Sequence, residues 1–160
     1  MADLTEMERL KVELARDYIS HIEAVKEDVA VLKESIEMAY AAAGLSGVDY
    51  SKVNVTTSPT DDQIPNAVVK IIEAKQAEAE SLAFEQAEID AFESRIAVLK
   101  TRGGLILQFL YAFGMTDVQV YRQYMPMPKS TYFRLKDRGL LELYENGLPE
   151  AFKLPDVKAI

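Results

Sequence analysis

Apolar side chains between residues 3 and 42 recur three or four positions apart, at Leu4, Met7, Leu10, Leu14, Tyr18, Ile22, Val25, Val29, Leu32, Ile36 and Ala39/Tyr40. That spacing draws one stripe along an α-helix. No Gly or Pro interrupts it before Gly44. A helix of this length extends on the order of 60 Å and needs a partner along its whole length. Residues 64–100 repeat the pattern with Ile64, Val68, Ile71/Ile72, Lys75, Ala79, Leu82, Gln86, Ile89, Phe92, Ile96 and Leu99. Pro65 suits the first turn of this second helix, with Asp61 or Asp62 as its cap. Two stripes of matched length and period predict an antiparallel helical hairpin with coiled-coil-like packing, or an oligomer built from the same stripes. Lys75 and Gln86 interrupt the second stripe and are expected to set its register. Between the helices, residues 44–63 hold Gly44, Gly47, Pro59 and several Ser and Thr, which predicts an irregular connection.

The pattern changes after residue 100. Gly103-Gly104 is expected to break or kink the second helix. The run Leu105–Phe113 is almost wholly apolar and predicts a buried scaffold helix, with Gly114 as its C-terminal cap. Thr116 then caps a short helix over 117–124, and Asp117 is favourable in its first turn. Met125-Pro126-Met127-Pro128 forces a turn, because a residue that precedes proline avoids the helical region. Ser130 is the expected cap of a last helix that runs to about Leu143. Val118, Tyr121, Met125, Leu135 and Leu140 are expected to point inward. The domain reading is therefore a hairpin over 1–100, a helix-turn-helix head over 101–144 and an extension or frayed tail over 145–160. The fold class is all-α.

Charge sharpens this division. The chain of 160 residues has a net charge of −8, but the charge is unevenly spread. It is −5 over residues 1–44, −2 over 45–63, −3 over 64–100 and −1 over 145–160, whereas residues 101–144 carry six cations against three carboxylates. A basic head on an acidic body is compatible with nucleic-acid binding, since the local field acts on the phosphates. With 49% hydrophobic residues the chain can bury a core. It lacks Cys and has one His, His21, which leaves no convincing metal set and favours a structural role for His21. Glu85, Glu88, Asp90 and Glu93 read as a solvated helix face. No apolar run of about 20 residues predicts a membrane span. The acidic N-terminus carries no signal-peptide pattern. No phosphate-binding glycine loop or nucleophile set occurs, so neither catalysis, a cofactor nor a small-molecule substrate is expected.

The candidate chemistry sits on the last helix. In a docked helix-turn-helix, early residues of the second helix reach base edges, and flanking cations hold phosphates. Arg134 and Thr131 are expected to face the major groove, with Ser130 at the helix end. Lys129, Lys136, Arg138, Arg122 and Arg102 are phosphate candidates. Tyr132 and Phe133 are adjacent and point in different directions: one belongs in the core, and the exposed one is placed to touch a thymine methyl or a sugar.

The run Ser130-Thr131-Tyr132-Phe133-Arg134-Leu135-Lys136, followed by Leu140-Leu141, resembles the recognition helix of phage and prophage late-gene transcription regulators of the RinA/ArpU type. Asn66-Ala67-Val68-Val69-Lys70-Ile71-Ile72, after a polar loop, is also similar to a helix start in that family. The resemblance covers roughly residues 56–143. The Met125–Pro128 turn departs from it, with two prolines where relatives carry Gly or Ser. The resemblance implies a helix-turn-helix like region 4 of sigma factors, double-stranded DNA as ligand, contact with host RNA polymerase, and action in the bacterial cytoplasm. Two other readings fit the same layout. A small terminase subunit joins a helix-turn-helix to helical hairpins and assembles into rings for DNA packaging, and a coiled-coil adaptor uses such helices to bind protein.

Overall fold

The computed structural model describes residues 4–42 and 66–155, and these are helical, with no strand among them. Helix α1 spans Glu6–Ala42 and α2 spans Asn66–Ala97. Helix α3, Arg102–Leu107, continues into a π-helical turn over Gln108–Ala112. Helix α4, Asp117–Gln119, likewise continues into a π-helical turn over Val120–Tyr124. Helix α5 spans Lys129–Asn146, and a 3-10 turn follows at Glu150–Phe152. The expected connection over 44–63, Ile64, the Pro65 first turn with its Asp61 or Asp62 cap, and the Val68 side chain lie outside the described residues.

The chain divides into two compact units, Ala24–Ile89 on one hand and Met1–Glu23 with Asp90–Ile160 on the other. This is not the expected division at residue 100. The start of α1 and the last turns of α2 share a core with the head, so they belong to it.

In the unit of residues 24–89, Val25, Val29, Ile36 and Tyr40 of α1 are buried with Ile72, Leu82 and Ile89 of α2. These are positions of the two predicted stripes. Lys75, the cation within the second stripe, donates from Nζ to Ser35 Oγ at 3.1 Å and lies 3.2 Å from Glu78 Oε2. Ser35 Oγ in turn donates to Glu78 Oε2 at 3.2 Å. A polar trio that satisfies itself is tolerated in a half-buried seam, and it favours one register because a slip would strand the ammonium among apolar neighbours.

In the other unit, Tyr18 packs edge-on against Phe92 at 5.6 Å, and its hydroxyl accepts a hydrogen bond from Arg95 at 2.9 Å. Within each unit α1 and α2 pair inside the chain, Tyr18 with Arg95 in this one and Ser35 with Lys75 in the other. The stripe departs from expectation near its start: Met7 and Leu10 are 52% and 47% exposed, and Val12, Ala15 and Ile19 are buried instead. Here α1 must face Phe92, Ile96 and Leu99 of α2 and also Leu140, Leu141 and Leu143 of α5. Contact with two partners rotates and widens its buried face beyond a two-helix seam.

The glycine pair does not break a helix. Helix α2 has already ended at Ala97, and Gly103 and Gly104 lie in the first turn of α3. Their role is close approach. A Cβ on Gly103 would stand 2.1 Å from the Leu135 carbonyl oxygen and 2.4 Å from the Gly139 nitrogen, and a Cβ on Gly139 would stand 2.3 Å from the Gly103 carbonyl. Helices α3 and α5 therefore cross backbone to backbone, which only residues without a side chain permit.

The corner between α2 and α3 is closed by two side chains distant in sequence. Gln108 Nε2 donates to the carbonyls of Ile96 at 3.0 Å and Leu99 at 3.1 Å, satisfying acceptors at the end of α2. Glu142 of α5 accepts from the Lys100 N–H at 2.8 Å, the Thr101 N–H at 3.2 Å and the Thr101 hydroxyl at 2.6 Å. Burial opposes ionisation of Glu142, but the hydrogen bonds from Lys100 and Thr101 outweigh it and hold the carboxyl below its ordinary range. A lowered carboxyl pKa stabilises the fold above the ordinary value of about 4.5, and the gain is lost as pH falls through the folded-state value. Glu142→Gln is expected to cost about 1–2 kcal/mol at pH 7 and to flatten the acid limb of the stability profile. Thermal melts from pH 7 to pH 3 check this, and an acid limb as steep as that of the unmodified chain would count against it.

Residues 147–155 are not frayed. Leu148 is buried, and Phe152 packs on Tyr18 at 5.3 Å and on His21 at 5.6 Å. The Leu154 N–H donates to the Tyr144 hydroxyl at 2.9 Å. The tail thus folds onto α1, and His21 lies against it. The segment expected as an extension or frayed tail turns inward because Leu148 and Phe152 supply the apolar contacts.

Candidate nucleic-acid interface

The segment predicted as a two-helix reader falls on α4, the turn Met125–Pro128 and α5. Thr116 starts α4 with a reciprocal capping box: its hydroxyl accepts the Gln119 N–H, and the Gln119 side chain accepts the Thr116 N–H at 2.9 Å. The alternation of Met and Pro in the turn leaves two donors, and both are used. The Met125 N–H reaches the Val120 carbonyl at 2.7 Å, and the Met127 N–H reaches the Tyr121 carbonyl at 3.2 Å. Helix α5 begins at Lys129 with Pro128 at the cap position and no side-chain cap. Ser130 is therefore an exposed first-turn residue and not the expected cap.

Ile106 of α3, Val120 of the π-helical turn after α4 and Tyr132 of α5 form the centre of the core beneath this turn, flanked by Phe109, Leu110, Met115, Tyr121, Met125, Met127 and Leu135. Of the apolar run 105–113, Ile106 and Leu107 are buried, each in a different core cluster, whereas Leu105 is 39% and Phe113 67% exposed. Val118, expected inward, is 45% exposed. It shares its three-residue helix with Asp117, which takes the inward role.

Asp117 ties the two helices. Its Oδ1 accepts the Tyr132 hydroxyl at 2.5 Å and the Lys136 ammonium at 3.0 Å. Burial, then the hydrogen bond and charge of Asp117, push the Tyr132 hydroxyl well above the usual tyrosine range, so it remains a donor. Tyr132 is wholly buried. It is thereby corrected from DNA contact to core anchor.

The other expected contacts fall into two groups. Lys136 is engaged by Asp117, and Arg138 lies 3.6 Å from Glu8 of α1. Both lie beyond the first turn and have carboxylates to neutralise them, so neither is a free phosphate ligand. Lys129, Ser130, Arg134 and Arg122 are exposed, and Thr131 is half-buried. Arg102 is exposed too, but it adjoins the α3–α5 crossing at Gly139, about 15 Å along the helix axis from Lys129. Lys129, Arg122, Arg134 and Arg102 have no ion-pair partner among the described residues.

Ser130, Phe133, Arg134 and Asp137 share one side of α5, at helical spacings of three and four. Phe133 is 38% exposed there. Asp137 is half-buried and ion-paired with Arg16 of α1. The exposed polar face thus covers the first turn and a half of the helix and ends at an acidic residue. Sequence patterning gave Tyr132 and Phe133 equal claim to the core; the carboxylate at Asp117, fifteen positions away, decides between them.

Among the described residues no group of His, Asp or Glu is arranged to hold a metal, and no helix is long and apolar enough to cross a membrane. Comparison with known protein families, characterised proteins and solved structures finds no match to this chain.

Proposed function

We propose that the chain is a sequence-specific, double-stranded DNA-binding transcription regulator of phage or prophage type that controls late genes. In this reading α4 and α5 act as the helix-turn-helix, and the first turn and a half of α5 enters the major groove. Arg134 hydrogen-bonds a base edge, guanine being the fitting partner, and Ser130 serves a base or a phosphate. Lys129 and Arg122 hold flanking phosphates. Host RNA polymerase is the proposed protein partner, and the long helices offer surface for a homo-oligomer. The observation that carries this reading is the sorting of cations on α5: those past its first turns are bound by carboxylates, whereas Lys129 and Arg134 are exposed with no ion-pair partner among the described residues, Arg134 on the same side as Ser130.

The test is binding of the purified chain to labelled duplex fragments tiled across its own genomic neighbourhood, over a range of salt concentrations. Tight binding to one fragment is expected, with log affinity falling against log salt at a slope of about −2, the value for the two phosphates held by Lys129 and Arg122. Absence of binding to every fragment at low salt would overturn the reading. Arg134→Ala is expected to weaken the preferred fragment about tenfold to a hundredfold and to leave non-specific affinity less affected. Unchanged preference would remove Arg134 from the reading surface.

A further inference from the structure

The exposed face of α5 carries one large apolar side chain among polar neighbours. In projection Phe133 and Arg134 flank Ser130 on either side, and the Phe133 ring is held from two sides. The Tyr132 ring meets it edge-on at 5.0 Å with an interplanar angle of 79°. The Lys136 ammonium lies 5.8 Å from its centroid. Tyr132 and Lys136 are themselves fixed by the same Asp117 oxygen. An aromatic ring held this way gives up little conformational freedom on binding. Its exposed part is an apolar probe at a fixed place on a helix face that otherwise offers hydroxyl and cationic groups.

We infer that Phe133 is a specificity-determining residue that reads the 5-methyl group of a thymine in the major groove; the inference rests on the DNA-binding reading above. In that groove the bases differ in their donors and acceptors, and thymine alone presents a methyl group. Arg134, next in sequence, addresses hydrogen-bonding edges. Phe133 offers no polar atom and can discriminate only by apolar contact. Together they select a thymine within the few base pairs that the first turns of α5 span. Cytosine or uracil in place of that thymine presents no methyl to the ring, and the face loses its apolar contact.

The experiment selects the preferred duplex from a random pool and then replaces each thymine singly by deoxyuridine, which removes the methyl and keeps the base pair. The unmodified chain is expected to lose affinity roughly fourfold at one thymine and to be indifferent at the others. Phe133→Ala is expected to bind the thymine and deoxyuridine duplexes equally. Indifference of the unmodified chain to deoxyuridine at every position, or retained discrimination by Phe133→Ala, overturns the assignment while leaving sequence-specific binding in place. If no duplex is enriched from the pool, the DNA-binding reading falls and this inference with it. The deoxyuridine series uses the unmodified chain, so it decides the matter even if Phe133→Ala is poorly folded.

Discussion

Gly139→Ala, and separately Gly103→Ala, is expected to destabilise the head by about 3 kcal/mol or more, at or beyond the top of the usual range for overpacking. By helix propensity alone each change should help, since alanine is favoured over glycine inside a helix by about 1 kcal/mol. Geometry reverses the sign. The new methyl on residue 139 would lie 2.3 Å from the carbonyl carbon and oxygen of Gly103 and 2.9 Å from the nitrogen of Gly104. These are backbone atoms and cannot rotate away. Relief requires α3 and α5 to separate, and that opens the packing of Leu107 against Leu140 and Leu143 in the same core. Urea unfolding followed by circular dichroism gives the difference directly. Equal or raised stability for both variants would mean that the crossing is looser than the backbone geometry makes it.

The same crossing shows where sequence patterning stops being informative. Gly103-Gly104 after a long helical pattern reads as a breaker, because a lone chain offers no sign of what lies across from it. Its counterpart, Gly139, is thirty-six positions away in the middle of α5. Glu142 poses the same difficulty: as a carboxylate on a basic helix it looks like an ordinary surface residue, yet it accepts three hydrogen bonds from Lys100 and Thr101. Local signals fared differently. The cap at Thr116 and the all-helical fold were legible because each depends on near neighbours in sequence or on a simple period. The α2 stripe was legible for the same reason, and Lys75 fits its expected place in the seam. Near the start of α1 the period misled, since Met7 and Leu10 continue it while Val12, Ala15 and Ile19 enter the core shared with α2 and α5. The candidate surface was readable as a region and not residue by residue. Charge along the chain pointed to α5, but only the carboxylates of Asp117, Glu8 and Asp137 sort its side chains into engaged and free.

Asp117→Ala is expected to cost about 3–4 kcal/mol and, on the proposed DNA-binding function, to impair preference for the selected duplex by more than the lost stability accounts for. Two donors lose their acceptor at once. The Tyr132 hydroxyl lies in a wholly buried side chain, and a buried donor left unpaired costs about 1–3 kcal/mol. The Lys136 ammonium, at the edge of the same core, loses its counter-charge. A carboxylate is also removed from the first turn of α4, where it is worth about 0.3–1 kcal/mol against the helix dipole. Tyr132→Phe separates these effects, because it removes one donor and leaves Asp117 paired with Lys136; about 1 kcal/mol is expected for it. The functional consequence follows from geometry. Asp117 fixes Tyr132 and Lys136, and these two hold the Phe133 ring on the exposed face of α5. Release of Lys136 adds a free cation, so non-specific affinity at low salt is expected to rise in Asp117→Ala while preference for the selected duplex falls. Binding isotherms on the preferred and a scrambled duplex at two salt concentrations, taken well below the melting transition, read both effects. Parallel loss on the two duplexes would reduce Asp117 to a purely structural tie. Divergence between them would place the latch in control of how α5 presents its first turns.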